Sequence, residues 1–451
     1  MSSLPLWASG VIGAGIFFFL MFLRMHVGMS LMIAGFIGFW MTRSFDAALS
    51  TLATTIYDTA SSDILIIIPL FIVMGTIAAA GGPMESAFYT FDKWIGHLRG
   101  GLSMAAVGSC AAFGAVCGDN IATAMVMDRA ALPQMRKYGY KDSLSFGSIA
   151  AGGGLGLLIP PSAAFVVFSF IAQSSEANIS SLFIAGIVPG LILTVLFMGQ
   201  IWAQCRINPS LCSLREAASW KARFTSLLGL IGVIAGFLLV MLGLLRAWFT
   251  PHEAGALGAV ILTVVSLAYL LVARFRKLPY KTLTWKSYAD SFMDAVKIGA
   301  MILVLIFGAR YFSNFLTSST IARGISDAVI ESGLNRYIVM LLVALVFLVL
   351  GCLMDVWSVM IITLPIFFDP LVALGFHPLQ LGVITVLCIM TGTITPPVGV
   401  VVFTLAGVHR EVPMYSIFKG VLPFVLTMIV LLILLVFIPQ LSTWLPSFMT
   451  Y

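Results

Sequence analysis

The chain is dominated by apolar runs that are about as long as a bilayer is thick. Residues 227–245, 256–272 and 421–438 form three of these runs, and a helix needs about 20 apolar residues to cross the hydrocarbon core. Only 9% of the 451 residues are charged, whereas soluble domains contain about 25%. The sequence therefore predicts an all-α, polytopic membrane protein that lies in the lipid bilayer.

Three further features exclude other classes of protein. The run 9–23 has no basic segment before it and no small-residue cleavage site, so we interpret it as a retained span and not as a signal peptide. The net charge of +6 comes from basic residues in short loops, which does not indicate a nucleic-acid partner. The six cysteines contain no CxxC pair, so we expect neither a disulfide framework nor a transition-metal site.

Basic residues predict how the chain crosses the membrane. Lys and Arg concentrate in cytoplasmic loops, and an outer N-terminus places most of the 24 basic residues inside. This holds only if 100–132 enters and leaves from the cytoplasm as a re-entrant hairpin, because a single crossing would place Arg136 and Lys137 outside. A second hairpin, 337–372, then opens from the opposite face, and both termini lie on the periplasmic side.

An internal repeat supports this topology. The segment GLGLLIPPS (154–162) recurs as MTGTITPPV (390–398), so that each half carries a glycine followed by a Pro-Pro pair. The same spacing along the chain separates Asp119 from Asp355, which lie in the two predicted hairpins. Because the topology places the halves in opposite orientations, we expect an inverted repeat.

The repeat divides the chain into four parts. They are N-terminal scaffold helices (1–62), a first repeat (63–204), connecting scaffold helices (205–287) and a second repeat (288–451). The first repeat contains an amphipathic arm (83–98), a hairpin (100–132) and a broken helix (143–173). The second repeat contains the corresponding arm (319–336), hairpin (337–372) and broken helix (379–408).

The two Pro-Pro pairs point to a binding site. Proline removes a backbone N–H and clashes with the preceding turn, so two in succession interrupt a helix. The freed carbonyls are tolerated in a membrane only where they are buried in protein or line a cavity. Such carbonyls suit a cation such as Na⁺, and nearby helix N-termini favour an anion. Broken helices in inverted repeats are typical of secondary transporters.

Several polar residues near these breaks have two interpretations. Asp119, Asn120 and Asp355 lie at the predicted hairpin tips, where they would either bind ion or substrate or cap a short helix. Ser162 follows the first Pro-Pro pair and is a further substrate-binding candidate. Arg310 lies within a span, where it would either contact an anionic substrate or extend to the membrane interface.

Other polar groups favour structural interpretations. Thr250 and Glu253 have the spacing of a capping box, and Asp294 and Lys297 have the spacing of a helical ion pair. The histidines lie at span ends or in loops, so we predict no proton relay.

Segments along nearly the whole chain resemble one family, the large membrane subunit of TRAP (tripartite ATP-independent periplasmic) transporters. They are IPLFIVMGTIAAAGG (68–82), GHLRGGL (96–102), IPPS (159–162), LFIAGIVPGLIL (182–193), TPHEAGALGA (250–259), GCLMD (351–355) and TITPPVGVVVF (393–403). The resemblance implies an elevator-type transporter of the ion transporter superfamily. It also implies Na⁺ as coupling ion, a separate small membrane subunit, and a periplasmic binding protein that delivers an organic anion such as a carboxylate or sulfonate.

The resemblance also implies two Na⁺ sites, one in each repeat. The first maps to Gly114, Cys117, Gly156, Ile159 and Pro161, and the second to Gly351, Gly392, Thr395 and Val398. The chain departs from the family at both tips, because Cys117 stands where family members often carry serine and Trp357 where small or polar residues are common. A thiol is a poor ligand for Na⁺, so Asp119 is a candidate for the missing oxygen.

Four other points complete the prediction. The hairpins and broken helices would move, while all other spans and both arms would stay fixed. A channel is disfavoured because the spans offer almost no polar pore lining, and an intramembrane enzyme because no catalytic motif is present. A related Na⁺-coupled carboxylate symporter that works without a binding protein is the closest alternative. The sequence does not identify the transported anion.

Overall fold

The computed structural model is all-helical, which confirms the predicted fold class. The structure describes residues 5–23, 25–62, 64–276, 284–321, 324, 327 and 333–449, and these residues form no β-strand. Within them, seven helices are long and apolar enough to cross a membrane, or up to nine if each of two bent helix pairs is one span.

The helices are numbered in chain order. The first ten are α1 (Leu6–Phe22), α2 (Val27–Thr42), α3 (Phe45–Ala60), α4 (Ile64–Gly81), α5 (Pro83–Ile95), α6 (Gly101–Cys117), α7 (Asn120–Lys137), α8 (Asp142–Leu158), α9 (Ala163–Ala172) and α10 (Ile179–Ile207). The others are α11 (Trp220–Leu245), α12 (Pro251–Arg276), α13 (Trp285–Ser318), α14 (Arg336–Leu353), α15 (Val356–Ala373), α16 (Pro378–Gly392), α17 (Val400–Val408), α18 (Met414–Phe437) and α19 (Gln440–Thr443).

The same order of helices occurs twice. Helix α4, the arm α5, the pair α6–α7, the pair α8–α9 and helix α10 form the first set. Helix α13, the pair α14–α15, the pair α16–α17 and helix α18 form the second set. Most of the predicted second arm, including Arg323, lies outside the described residues. The opposite orientation of the two sets in a membrane stays a prediction.

Each predicted hairpin is a pair of helices with a short turn. Helix α6 ends at Gly118, whose φ of 67° lies in the left-handed region that glycine adopts without strain. Asp119 then begins α7, because its side chain accepts a hydrogen bond from the Ala122 N–H at 2.7 Å. In the second pair, Asp355 begins α15 by accepting from the Ser358 N–H at 3.1 Å. The turns therefore lie where the two aspartates are.

The helix breaks also lie where the Pro-Pro pairs are. Helices α8 and α9 are separated by residues 159–162, and their axes are bent by 45°. Helices α16 and α17 are separated by residues 393–399. A similar bend of 63° separates α4 from the arm α5, so the arm leaves the direction of the preceding span.

Helix α3 was not predicted, because its polar residues keep it below the hydropathy of a span. Ser44 caps its start by accepting from the Ala47 N–H at 3.1 Å, and Asp46 lies in its first turn, where an acid is favourable. The Tyr311 hydroxyl of α13 donates to the Ala48 carbonyl at 2.7 Å. The Ser44 cap is the feature of the sequence from which α3 could have been predicted.

The last helix of each set packs against the hairpins and the broken helices. Helix α18 packs along α8 so closely that a Cβ on Gly420 would lie 1.8 Å from the Ser143 carbonyl oxygen, and one on Gly147 would lie 2.4 Å from the Gly420 oxygen. Helix α10 packs against α6, α8, α16 and α18. These contacts place α10 and α18 against the helices that are predicted to move, and the division into moving and fixed helices stays a prediction.

The other spans form a second group of contacts. Helix α13 packs against α2 and α4, α12 packs against α4, and α11 packs against α5 and α12. The arm is tied to α11 by the Thr90 hydroxyl, which donates to the Ser226 carbonyl at 2.7 Å, and by the Trp94 indole N–H, which donates to the Arg223 carbonyl at 3.2 Å. The predicted structural pairs also form, since Glu253 accepts from the Thr250 N–H at 2.8 Å and Lys297 lies 3.7 Å from Asp294.

Candidate functional site

The first hairpin tip lies against the first helix break. A Cβ on Gly114 would lie 2.7 Å from the Gly156 Cα, and one on Gly118 would lie 2.7 Å from the Pro161 carbonyl oxygen. Only backbone without side chains fits at these contacts. The structure therefore brings together three of the residues predicted for the first Na⁺ site, namely Gly114, Gly156 and Pro161.

Oxygen atoms converge on this contact. A Cβ on Gly156 would lie 2.7 Å from the Asp119 carbonyl oxygen and 2.8 Å from the Thr123 hydroxyl. The Thr123 hydroxyl donates to that carbonyl at 2.6 Å, so its lone pairs stay available to a cation. Ile159 ends α8 in an extended conformation. Its carbonyl and those of the last turn lack partners within the helix.

The second tip and the second break repeat this geometry. A Cβ on Gly392 would lie 2.5 Å from the Gly351 carbonyl carbon and 2.7 Å from its Cα. The Gly399 N–H donates to the Cys352 carbonyl at 3.3 Å, which ties the break to the tip. The Thr395 hydroxyl donates to the Thr391 carbonyl at 2.6 Å, so its lone pairs, like those of Thr123, are free for a cation.

The two sites are joined by one side-chain contact. The Asn120 amide of the first tip donates to the Thr393 hydroxyl of the second break at 3.2 Å, and Asn120 is only 2% exposed. Thr393 was not predicted, although it directly follows Gly392 and replaces an apolar residue, Leu157, of the first repeat. This difference between the repeats is the feature of the sequence that could have indicated a polar contact at Thr393.

Three of the substrate-binding candidates act as helix caps. Asp119 and Asp355 accept hydrogen bonds from the first turns of α7 and α15, and Ser162 accepts from the Ala164 N–H at 3.2 Å to begin α9. The capping interpretation is therefore confirmed for the two aspartates. A carboxylate has about four lone-pair sites, so a role in binding stays a prediction.

Arg310 lies away from the hairpin tips. Its guanidinium lies 4.4 Å from the centre of the Phe170 ring, and Phe170 is about 12 Å along α9 from Ser162 at a rise of 1.5 Å per residue. The Nε of Arg310 is buried and has no hydrogen-bond partner within the described part of the chain. The structure thus places Arg310 between α13 and α9, and contact with a substrate stays a prediction.

The two residues that depart from the family pattern are both buried. Cys117 is 9% exposed, and a Cβ on Gly75 of α4 would lie 2.8 Å from its carbonyl oxygen. Trp357 is 8% exposed in the first turn of α15. The Cys117 thiol lies beside the Thr123 hydroxyl and the Asp119 backbone at the first tip, and its part in ion binding stays a prediction.

A buried polar pair was missed by the sequence prediction. Asp128 of α7 is 3% exposed, and its carboxylate lies 2.8 Å from the His409 Nε2 after α17. Glu411 contacts the other ring nitrogen at 3.2 Å and also accepts from Arg136 at 3.1 Å. The pair links the first hairpin to the second broken helix. The charged Asp128, which follows the apolar residues 124–127 of α7, is the feature of the sequence that could have indicated this pair.

The two sites differ in their exposure. Pro160 and Pro161 are buried, whereas Pro396, Pro397 and Val398 of the second break are exposed, Val398 by 37%. The first site is therefore covered by protein, while the second site is accessible along one side.

Comparisons with known proteins agree with this architecture. A family model described as "Tripartite ATP-independent periplasmic transporter, DctM component" matches residues 14–441. The large C4-dicarboxylate TRAP permease DctM of Pseudomonas aeruginosa is 33% identical over 405 residues, which are 88% of this chain and 90% of that protein. The ectoine TRAP large permease TeaC of Halomonas elongata is 29% identical over 414 residues, which are 91% and 93% of the two chains.

A solved structure shares the fold. The YdaH transporter of Alcanivorax borkumensis superposes with a TM-score of 0.57 over 87% of this chain and 88% of that chain, at 16% identity. Because the matched sequence relatives are named permeases, they agree with the expectation of a transporter and not an enzyme. The family match over nearly the whole chain confirms the resemblance seen in the sequence. This chain belongs to the DctM family, the large membrane permease component of TRAP transporters.

Proposed function

We propose that this permease couples uptake of an organic anion to Na⁺, with one ion in each of the two sites. The observation that carries the proposal is the paired geometry, in which Gly114 meets Gly156 and Gly351 meets Gly392 backbone to backbone. Backbone oxygens and the Thr395 hydroxyl are hard ligands, which Na⁺ prefers. The family acts in the bacterial inner membrane with a small membrane subunit and a periplasmic binding protein.

The substrate would bind between the two ion sites. Asn120 and Thr393 lie there, and both can donate or accept hydrogen bonds. The N-termini of α7, α9 and α15 begin near the tips and breaks, and helix N-termini favour an anion. Relatives are named for C4-dicarboxylate, sialic acid and ectoine. We assign the class of organic anion and no particular compound.

The mechanism we propose is an elevator. Helices α6–α10 and α14–α18 would move as one body, while α1–α5 and α11–α13 stay in place. The backbone contact between α8 and α18 supports a common body for these two helices, and the backbone contact of Gly75 in α4 with Cys117 in α6 would have to break as that body moves. The difference in exposure between the two breaks supports access from one side at a time.

The proposal is tested by reconstitution into liposomes. The permease, its small subunit and the binding protein loaded with a carboxylate should give uptake that depends on an inward Na⁺ gradient. Replacing Na⁺ with K⁺, or leaving out the binding protein, should abolish uptake. Uptake at the same rate without Na⁺ would refute the coupling, and uptake by the permease alone would favour the binding-protein-independent symporter.

A further inference from the structure

A large cavity lies apart from the ion sites, between the arm and the first hairpin. Its volume is about 980 Å³, and its walls come from α5, α7, α11 and α12. Pockets that enclose a drug-sized ligand measure about 300–1,000 Å³, so this cavity is at the large end of that range. Neither the hairpin tips nor the Pro-Pro breaks line it.

One wall of the cavity is basic. Arg129 of α7, Lys93 of α5 and Arg215 line the cavity, together with two acidic residues of α5, Glu85 and Asp92. Arg215 is neutralised by Asp92 at 2.6 Å, whereas Arg129 makes no hydrogen bond or ion pair within the described ranges, and Lys93 only lies over the Tyr89 ring at 4.9 Å. Two cations are therefore available to an anionic ligand.

The lining from α11 and α12 combines Thr225, Ser226 and Tyr269 with apolar residues that continue into the membrane-facing surface. Leu228 and Ile231 of α11 line the cavity and are 63% and 55% exposed, and Val265 and Ala268 of α12 line it beside them. Helices α11 and α12 are apolar spans, and only 39% and 28% of their most apolar stretches are buried within the protein. This wall suits an acyl chain, whereas a route for a polar solute needs a polar lining.

The basic wall lies at the level of a membrane interface. Trp94 follows Lys93 on the arm, and Trp220 begins α11 with Arg223 lying 4.9 Å from its ring. Tryptophan is enriched where lipid headgroups begin, and the sorting of basic residues puts this end of the helices on the cytoplasmic side. Basic pockets between spans on that side bind anionic headgroups.

We propose that this cavity binds an anionic phospholipid, with its phosphate against Arg129 and Lys93 and its acyl chains along α11 and α12. The lipid lies between the arm, which we assign to the fixed part, and α7, which we assign to the moving part. It therefore fills a space that protein side chains leave open between these two helices. The lipid site itself does not depend on Na⁺ coupling or on the identity of the substrate.

The test counts lipid that stays bound to the purified complex. The permease with its small subunit is incubated in detergent with phosphatidylglycerol or with phosphatidylcholine of the same chains, and native mass spectrometry counts the bound molecules. We expect one tightly held phosphatidylglycerol and no comparable phosphatidylcholine. Arg129→Gln should weaken phosphatidylglycerol binding about five-fold, as should Lys93→Gln, because each basic residue near a headgroup contributes about 1 kcal/mol.

Matched controls separate the cavity from the general charge of the surface. Lys137→Gln removes the same charge from the exposed end of α7 without lining the cavity and should leave binding unchanged. Ala268→Trp fills the apolar wall and should displace the lipid, whereas Leu267→Trp on the neighbouring exposed position should not. These pairs are compared as monodisperse preparations, and the amount of small subunit retained is measured for each.

Three outcomes would overturn the proposal. Equal retention of phosphatidylglycerol by wild type, Arg129→Gln and Ala268→Trp would show that the cavity is not a lipid site. Equal weakening by Lys137→Gln and Arg129→Gln would show only surface charge. Loss of the small subunit in Ala268→Trp but not in Leu267→Trp, with unchanged lipid, would show that a helix of that subunit occupies the cavity.

Discussion

The closest backbone contact in the second ion site makes Gly392→Ala the sharpest test of the proposed coupling. A Cβ at this position would lie 2.5 Å from the Gly351 carbonyl carbon and 2.8 Å from the Leu348 oxygen. Carbon atoms in ordinary contact are about 3.5–4.0 Å apart, so the helices α14 and α16 must separate by about 1 Å. All the obstructing atoms are backbone, which cannot rotate away.

The free-energy cost of separating the two helices can be estimated from the effect of adding methyl groups to packed cores. Extra methyl groups in a packed core cost about 1–3 kcal/mol, and alanine in place of helical glycine returns up to about 1 kcal/mol. The net loss of folding stability is therefore between about 0 and 3 kcal/mol. If the strain of about 1–3 kcal/mol falls on the ion-bound geometry, Na⁺ affinity falls roughly 5- to 150-fold.

Two matched glycines give a graded series. A Cβ on Gly351 would be 3.2 Å from its nearest neighbour, the Ile389 oxygen, so Gly351→Ala requires a shift of only a few tenths of an ångström. Gly407 of α17 has nothing within 4 Å of the added Cβ. The half-saturating Na⁺ concentration, measured as uptake into proteoliposomes with the small subunit and binding protein, should rise most for Gly392→Ala, less for Gly351→Ala and not for Gly407→Ala. The same Na⁺ dependence in Gly392→Ala and Gly407→Ala would refute the placement of the second site.

Further predictions concern individual side chains. Thr395→Ala should raise the half-saturating Na⁺ concentration in the same assay, while Thr395→Ser keeps the hydroxyl and should not; equal values would exclude the hydroxyl as a ligand. Asp119→Asn keeps a good helix cap but removes the charge, and we expect it to shift the dependence of uptake on Na⁺ or on substrate concentration. Wild-type dependence on both would show that Asp119 only caps α7. His409→Ala leaves the buried Asp128 carboxylate without its partner and should lower the free energy of unfolding by about 1–3 kcal/mol, measured as denaturant unfolding of the purified complex; an unchanged midpoint would contradict this. Hydrogen bonds from its own backbone N–H and from an arginine hold the pKa of Glu411 below its usual 4.5. The ionised Glu411 side chain therefore stabilises the fold above pH 4.5, and this stabilisation is lost as the pH falls through the lowered pKa. The difference in melting temperature between wild type and Glu411→Gln should disappear at acid pH and not at pH 7.

The positions of the hairpin turns and helix breaks were predictable because backbone chemistry fixes them locally. Two consecutive prolines cannot continue a helix, and the matched aspartates of the two repeats can each begin a new helix. These signals needed no knowledge of distant residues. The predicted pairing of Gly114 with Gly156 followed from the family resemblance, and the structure places the two together.

The contacts between the two halves were not predictable in the same way. The Asn120–Thr393 and Asp128–His409 contacts join residues more than 270 positions apart, and no local pattern indicates which polar side chains will meet. The grouping of α18 with α8 was also missed, because hydropathy identifies a span but does not say which neighbour it packs against. The contact of Arg310 with the Phe170 ring was likewise not predicted from the sequence, which suggested either a substrate contact or extension to the membrane interface.

The contact between α8 and α18 has a consequence for biosynthesis. Gly147 is matched by Gly420, so a surface of the first repeat stays uncovered until nearly the whole chain has left the ribosome. The first repeat must therefore wait in the membrane, partly assembled, for the last long helix to arrive. A chain truncated before α18 would leave this surface to lipid or to quality-control proteases, and two separately expressed halves would have to find each other before either is stable.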